Sequence, residues 1–89
     1  MKKNKIIIVG YGSIGKRHSK NIKKISNHQI VLFREINKKN TDGYEEIYNY
    51  EDILKLDPLF VLICNPTKYH YEILKFCVKN NLNFLCEKP

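Results

Sequence analysis

The chain has 89 residues, of which 43% are apolar and 28% charged, and a formal net charge of +7. That length suits one small domain with a thin core and excludes two, and the composition excludes wholesale disorder. The basic residues are scattered, and only Arg17 and Arg34 are arginines, a pattern that favours a solvated lysine-rich surface over the clustered positive face of a nucleic-acid binder.

Residues 5–9, Lys-Ile-Ile-Ile-Val, form a short β-branched run that ends at a glycine. Its length and flanks predict a buried parallel strand. Residues 13–24 follow as a helix whose inward face is Ile14, His18, Ile22 and Ile25, at near-helical spacing. Asn27-His28 ends it, and residues 29–33 are a second strand, which completes a β-α-β unit of the expected ~30 residues. Residues 37–43 are a polar loop with Asp42-Gly43 as a turn signal. A short third strand is predicted at 46–48 and a short helix at 51–56, starting near Asn49 or Tyr50. Asp57-Pro58 stops that helix, because proline disfavours helical geometry in the residue before it. Residues 59–64 are a strong apolar strand. Asn65-Pro66 turns the chain, and Thr67 is placed to cap a helix that runs to about Asn80. The inward face of that helix is predicted as His70, Ile73, Leu74, Cys77 and Val78. Residues 83–86 are a final strand before Glu87-Lys88-Pro89. Strands alternate with helices, so the fold class is α/β, a Rossmann-like doubly wound and mostly parallel sheet of order 3-2-1-4-5.

Cys64, Cys77 and Cys86 are an odd set with no CxxC pair, which suggests neither a disulfide framework nor a zinc site. As small hydrophobes in apolar stretches they fit a reducing cytoplasm. Met1-Lys2-Lys3 looks like a signal-peptide start, but the apolar run after it is far shorter than an h-region of roughly 7–15 residues. No stretch approaches the ~20 apolar residues of a membrane span. No nucleic-acid or membrane partner is expected, and the positive charge would favour an anionic ligand.

Gly10-Tyr11-Gly12-Ser13-Ile14-Gly15 matches G-x-G-x-x-G directly after a strand and at the start of a helix, the context that gives the pattern meaning. Gly10 permits the tight turn, Gly12 lets the backbone approach a pyrophosphate, and Gly15 lets helix and strand pack. The N–H groups of Ser13, Ile14 and Gly15 then face phosphates at the positive end of the helix. Glu35 lies about 20 positions past the turn, where an acidic residue binds a ribose 2′-OH; Arg34 beside it would instead hold a 2′-phosphate or stack on adenine. The choice between NAD and NADP stays open. Ligands of such a sheet sit at the carboxyl ends of the strands. Two further strand ends carry polar residues there: Asn65-Pro66-Thr67 with His70, and Glu87-Lys88-Pro89. Asn65 suits a hydrogen bond to a ribose or carboxamide. His70 is either part of that edge or a core histidine with a satisfied nitrogen. Lys88 after an apolar strand suits proton transfer, partial burial lowering its pKa.

With these three motifs in this order, the chain resembles the Gfo/Idh/MocA oxidoreductase family along essentially its whole length, His18 included. The resemblance implies an NAD(P)-dependent enzyme acting on a sugar, inositol or related polyol. It places Asn65 and Pro66 along the cofactor, Glu87 as a residue that helps hold it, and Lys88 as the catalytic residue beside the nicotinamide and the reacting hydroxyl. It leaves His18 as a brace between loops. In the family a second domain supplies the catalytic His or Asp, the substrate contacts and the oligomer interface. Residues 1–89 are therefore expected to be a truncated dinucleotide-binding domain, inactive alone, and prone to self-association through uncovered apolar surface. The alternative function is a non-enzymatic dinucleotide-binding remnant or partner-binding module.

Overall fold

The computed structural model describes residues 4–34, 42–65 and 67–87, with Thr67 described in its backbone alone. The elements are β1 (Lys5–Val9), α1 (Ser13–Ile25), β2 (Gln29–Phe33), β3 (Glu45–Ile47), α2 (Tyr50–Leu56), β4 (Phe60–Ile63), a 3-10 turn (Thr67–Tyr69), α3 (His70–Lys79) and β5 (Phe84–Cys86). The five strands are parallel in the order β3-β2-β1-β4-β5, as the alternating pattern predicts.

Strand periodicity divides the core into two layers. Ile7, Val9, Val31, Phe33, Val61 and Ile63 point to one face and pack with Ile53 of α2 and Ile73 and Cys77 of α3. Ile6, Ile8, Ile30, Leu32 and Leu62 point to the other, against Ile22 of α1 together with Tyr11 and Tyr44. The central strands are apolar on both faces because both faces are covered.

Several boundaries and faces differ from the sequence pattern. The buried residues of α1 are Gly15 and Ser19, with Ile22 half-buried beside them, while Ile25 is 83% exposed. The helix presents its smallest side chains to the sheet and so lies close to it; the apolar stripe read from bulk alone is rotated off the true face. The third strand is Glu45–Ile47, one residue earlier than expected, in register with Val31 to Phe33. Thr67 begins a 3-10 turn, and α3 starts at His70 with Tyr69 in the N-cap position and no side-chain cap. Val78 is 64% exposed rather than inward. Asp57 ends α2 in a left-handed conformation, φ 47°, which aspartate tolerates better than most residues.

Candidate dinucleotide site

The carboxyl edge of the sheet is set by backbone hydrogen bonds that run one residue past each strand. Gly10 N donates to Phe33 O (3.0 Å), Arg34 N to Ile47 O (3.1 Å), Cys64 N to Val9 O (2.9 Å) and Glu87 N to Ile63 O (2.9 Å). The glycine turn, Arg34, the Asn65 turn and Glu87 are thereby brought to one edge, as the motif positions require. Successive connections leave β1 towards β2 on one side and towards β4 on the other, so the crevice opens between β1 and β4.

The three glycines of the turn have different work. Gly10 has φ +88°, and a Cβ there would meet the Asn65 Cα and N at 3.0 Å. Backbone conformation and the approach of the neighbouring turn both require glycine. A Cβ at Gly15 would lie 2.5 Å from the Gly10 carbonyl oxygen, so the first turn of α1 packs directly on the loop before it. A Cβ at Gly12 would meet nothing within 4 Å among the described residues. The first bond of α1 is Lys16 N to Gly12 O, 2.9 Å. The N–H groups of Ser13, Ile14 and Gly15 precede it and have no acceptor within the helix. No side chain caps this end, and no acidic residue lies in its first turn.

Asn65 supplies the matching polar atom from the other side. Its Oδ1 is buried and has no hydrogen-bond partner among the described residues. Burial of an unpaired amide oxygen costs about 1–3 kcal/mol, which a ligand donor would offset. The backbone of Asn65 is fixed by His70, whose Nε2 lies 2.5 Å from the Asn65 carbonyl oxygen. A carbonyl only accepts, so Nε2 carries the proton and Nδ1 is the acceptor in the neutral ring. Cys86 Sγ lies 3.3 Å from Nδ1 and donates to it. Both nitrogens of His70 are thus engaged within the protein, and its part in the site is to hold Asn65.

His18 braces the structure in the way its position suggests. Its Nε2 donates to Glu87 Oε2 at 2.9 Å, linking α1 to the end of β5. Tyr11 leaves the turn sideways and its hydroxyl donates to the Asp42 carboxylate. Burial first, then the Asp42 hydrogen bond, push its pKa up to about 12. Glu35, Pro66, Lys88 and Pro89 lie outside the described residues, as does the side chain of Thr67. Cys86 is exposed, unlike Cys77, which is fully buried.

A cleft of about 660 Å³ extends from Gly10 and Asn65 along the end of β2 to the start of α3. Arg34 lines it, with Nη1 3.3 Å from Glu46 Oε2. Its aromatic wall is absent from the sequence reading. Tyr50 stacks on Phe76 (centroids 4.8 Å apart) and packs on Phe33 (5.3 Å), and Lys68 and Tyr69 also line the cleft. The available signal was a tyrosine at the start of each of two helices that follow strands: Tyr50 is the first residue of α2 and Tyr69 the N-cap of α3. The uncapped amides, the open space over Gly12 and the orphaned Asn65 Oδ1 fit a dinucleotide with its pyrophosphate on the turn.

A family model described as an oxidoreductase family with an NAD-binding Rossmann fold matches residues 4–89. The uncharacterized oxidoreductase YrbE of Bacillus subtilis is 33% identical, over 92% of this chain and 26% of its own length. Myo-inositol 2-dehydrogenase of Thermotoga maritima is 30% identical, over 96% of this chain and 28% of its own. The crystal structure of scyllo-inositol dehydrogenase from Lactobacillus casei with bound NAD(H) and scyllo-inositol superposes with a TM-score of 0.75 at 28% identity, covering 99% of this chain and 28% of that one. The chain therefore spans just over a quarter of the length of the relatives it matches. Among the described residues no helix is long and apolar enough to cross a membrane.

Proposed function

The chain belongs to the Gfo/Idh/MocA oxidoreductase family, and from that premise we propose that it holds NAD or NADP for hydride transfer with a sugar, inositol or related polyol. The observation that carries this reading is the pairing of the open, uncapped turn at Gly12 with the buried and unpartnered Asn65 Oδ1 across the crevice. When bound, the dinucleotide supplies the hydride chemistry. The amides of Ser13, Ile14 and Gly15 hold the pyrophosphate, and Asn65 accepts from a ribose hydroxyl or the carboxamide. His70 keeps Asn65 in place. Glu87, oriented by His18, borders the nicotinamide end. Lys88, the next residue in the chain, is the group we assign to proton transfer at the reacting hydroxyl.

Titration calorimetry with NAD and with NADP tests the reading on wild type and Asn65→Ala. Because Oδ1 has no hydrogen-bond partner among the described residues, the variant is expected to melt no lower than wild type and to bind the dinucleotide about tenfold more weakly. Equal affinities for the two proteins would refute the placement, and no binding of either dinucleotide to wild type would refute the function. These 89 residues alone are expected to bind and not to turn over a polyol; steady production of reduced cofactor would overturn that.

A second reading concerns association. All three β5 residues are exposed at the sheet edge, Leu85 at 57%, and Val78 of α3 lies nearby in sequence with 64% exposure. An unpaired strand edge with apolar side chains favours pairing with another chain. We propose that these residues self-associate through β5. A monomer by light scattering at high concentration would exclude it. Three free thiols suit a reducing cytoplasm.

A further inference from the structure

We propose that Tyr11 is a positioning residue for the adenosine half of the dinucleotide, acting through Asp42 and Arg34; this rests on the dinucleotide reading above. The backbone of Tyr11 belongs to the pyrophosphate turn, between Gly10 and Gly12. Its side chain does something else. The ring packs against the layer of Ile6, Ile8, Ile30, Leu32 and Leu62. It meets Tyr44 edge-on, with centroids 6.0 Å apart and planes at 80°. The Arg34 guanidinium, which also lines the cleft, lies 5.9 Å from the ring centroid, and Lys16 Nζ lies 5.6 Å from it. The hydroxyl donates to Asp42.

One side chain thus touches Arg34, at the end of β2, and Asp42, on the way into β3. The end of β2 is where an adenosine ribose is read in a doubly wound sheet. Arg34 is held there from two directions, by the Glu46 carboxylate and by the Tyr11 ring. The turn itself needs no tyrosine at this position: its requirements are met by Gly10, Gly12 and Gly15. A residue that fastens the turn to the ribose end therefore acts on the adenosine half and leaves the pyrophosphate amides alone. The hydroxyl keeps its proton at neutral pH, so the donor is always available.

The test is a double-mutant cycle with Tyr11→Phe, Asp42→Ala and the pair, titrated with NAD, ADP-ribose and inorganic pyrophosphate. Each single variant is expected to weaken NAD and ADP-ribose by the same factor, about tenfold. Pyrophosphate affinity is expected to stay at the wild-type value. The double variant is expected to lose less than the two single losses combined, since both single variants remove the same Tyr11–Asp42 hydrogen bond. Asp42 is exposed, so Asp42→Ala probes the contact with the core untouched if Tyr11→Phe folds poorly. Wild-type affinity for ADP-ribose in either variant, additive losses in the pair, or a parallel loss for pyrophosphate would each overturn the proposal. Failure of wild type to bind NAD or ADP-ribose would instead overturn the dinucleotide reading beneath it.

Discussion

The β1-α1-β2 and β4-α3-β5 halves follow the same strand-helix-strand plan and finish differently. In the first, four of five residues in each strand are buried. In the second, β4 is buried beyond its first residue and β5 is exposed throughout. Residue type does not explain this: Phe84-Leu85-Cys86 of β5 is apolar throughout, like Ile30-Val31-Leu32 of β2. Position explains it. β2 lies between β1 and β3, whereas β5 has β4 on one side and no strand beyond it among the described residues. Apolar content makes a strand; neighbours on both sides bury it. The half that carries the glycine turn is flanked by β3 on its outer side, and the half that presents Glu87 ends on an exposed strand.

The sharpest way to break the first half is at Gly15. A Cβ there meets the Gly10 carbonyl oxygen at 2.5 Å, a backbone atom that cannot swing aside. Gly15→Val is expected to force α1 off the turn, cost about 1–3 kcal/mol of stability by overpacking, and abolish dinucleotide binding. Gly12→Ala is the control, since its Cβ meets nothing within 4 Å. It is expected to unfold at the wild-type temperature and lose affinity only. Urea unfolding and calorimetry read the two effects separately. Equal stability losses for both variants would show that the glycines are not doing different work.

Alkaline pH discriminates the halves next. Burial raises the Cys77 thiol from 9.0 to about 11, and burial with Glu87 and Cys86 nearby raises Cys64 to about 11. Each pKa is higher in the folded chain, so the stabilisation is full below about pH 9 and is lost as pH rises towards 11. The expected loss at pH 11 is on the order of 2 kcal/mol for Cys77 alone. Both thiols belong to the second half. Cys77→Ala is expected to flatten the decline between pH 9 and 11; an unchanged slope in urea titrations would exclude Cys77 as its cause.

His70 joins the site to the second half. Its replacement by alanine removes the side-chain donor to the Asn65 carbonyl and the contact with Cys86, for an expected loss of about 1–3 kcal/mol. Dinucleotide affinity should fall with it, through Asn65. A variant that lost stability and kept affinity would show that Asn65 holds its place without the ring.

Much of this was legible in the sequence because it is local. The apolar runs at β1, β2 and β4 and the glycine spacing identify the strands, their order and the turn. What was not legible depends on the partner across space. Gly15 and Ser19 are the buried face of α1, yet hydrophobicity points to Ile25, because a helix that packs closely on a sheet uses small residues. The Tyr11–Asp42 contact spans 31 residues, and the Tyr50–Phe76 stack joins two helices; neither has a spacing signature. The two roles open to His70 were separable only once both ring nitrogens had named partners.

The smallest expected effect concerns the one side-chain bond that crosses between the halves, among the described residues: His18 in α1 with Glu87 after β5, 69 residues apart. The two side chains are 30% and 35% exposed, so solvent screens the pair and its share of stability is expected below about 1 kcal/mol. Its consequence is positional. Glu87 follows a strand with no neighbour on its outer side, held by the backbone bond to Ile63 O and by His18. His18→Ala removes the second restraint only. Hydrogen exchange is expected to quicken at the amides of Cys86 and Glu87 and to stay unchanged in β1 and β2. Faster exchange in β1 and β2 as well would mean that the first half leans on the second, and that the contrast between them is one of exposure and not of independence.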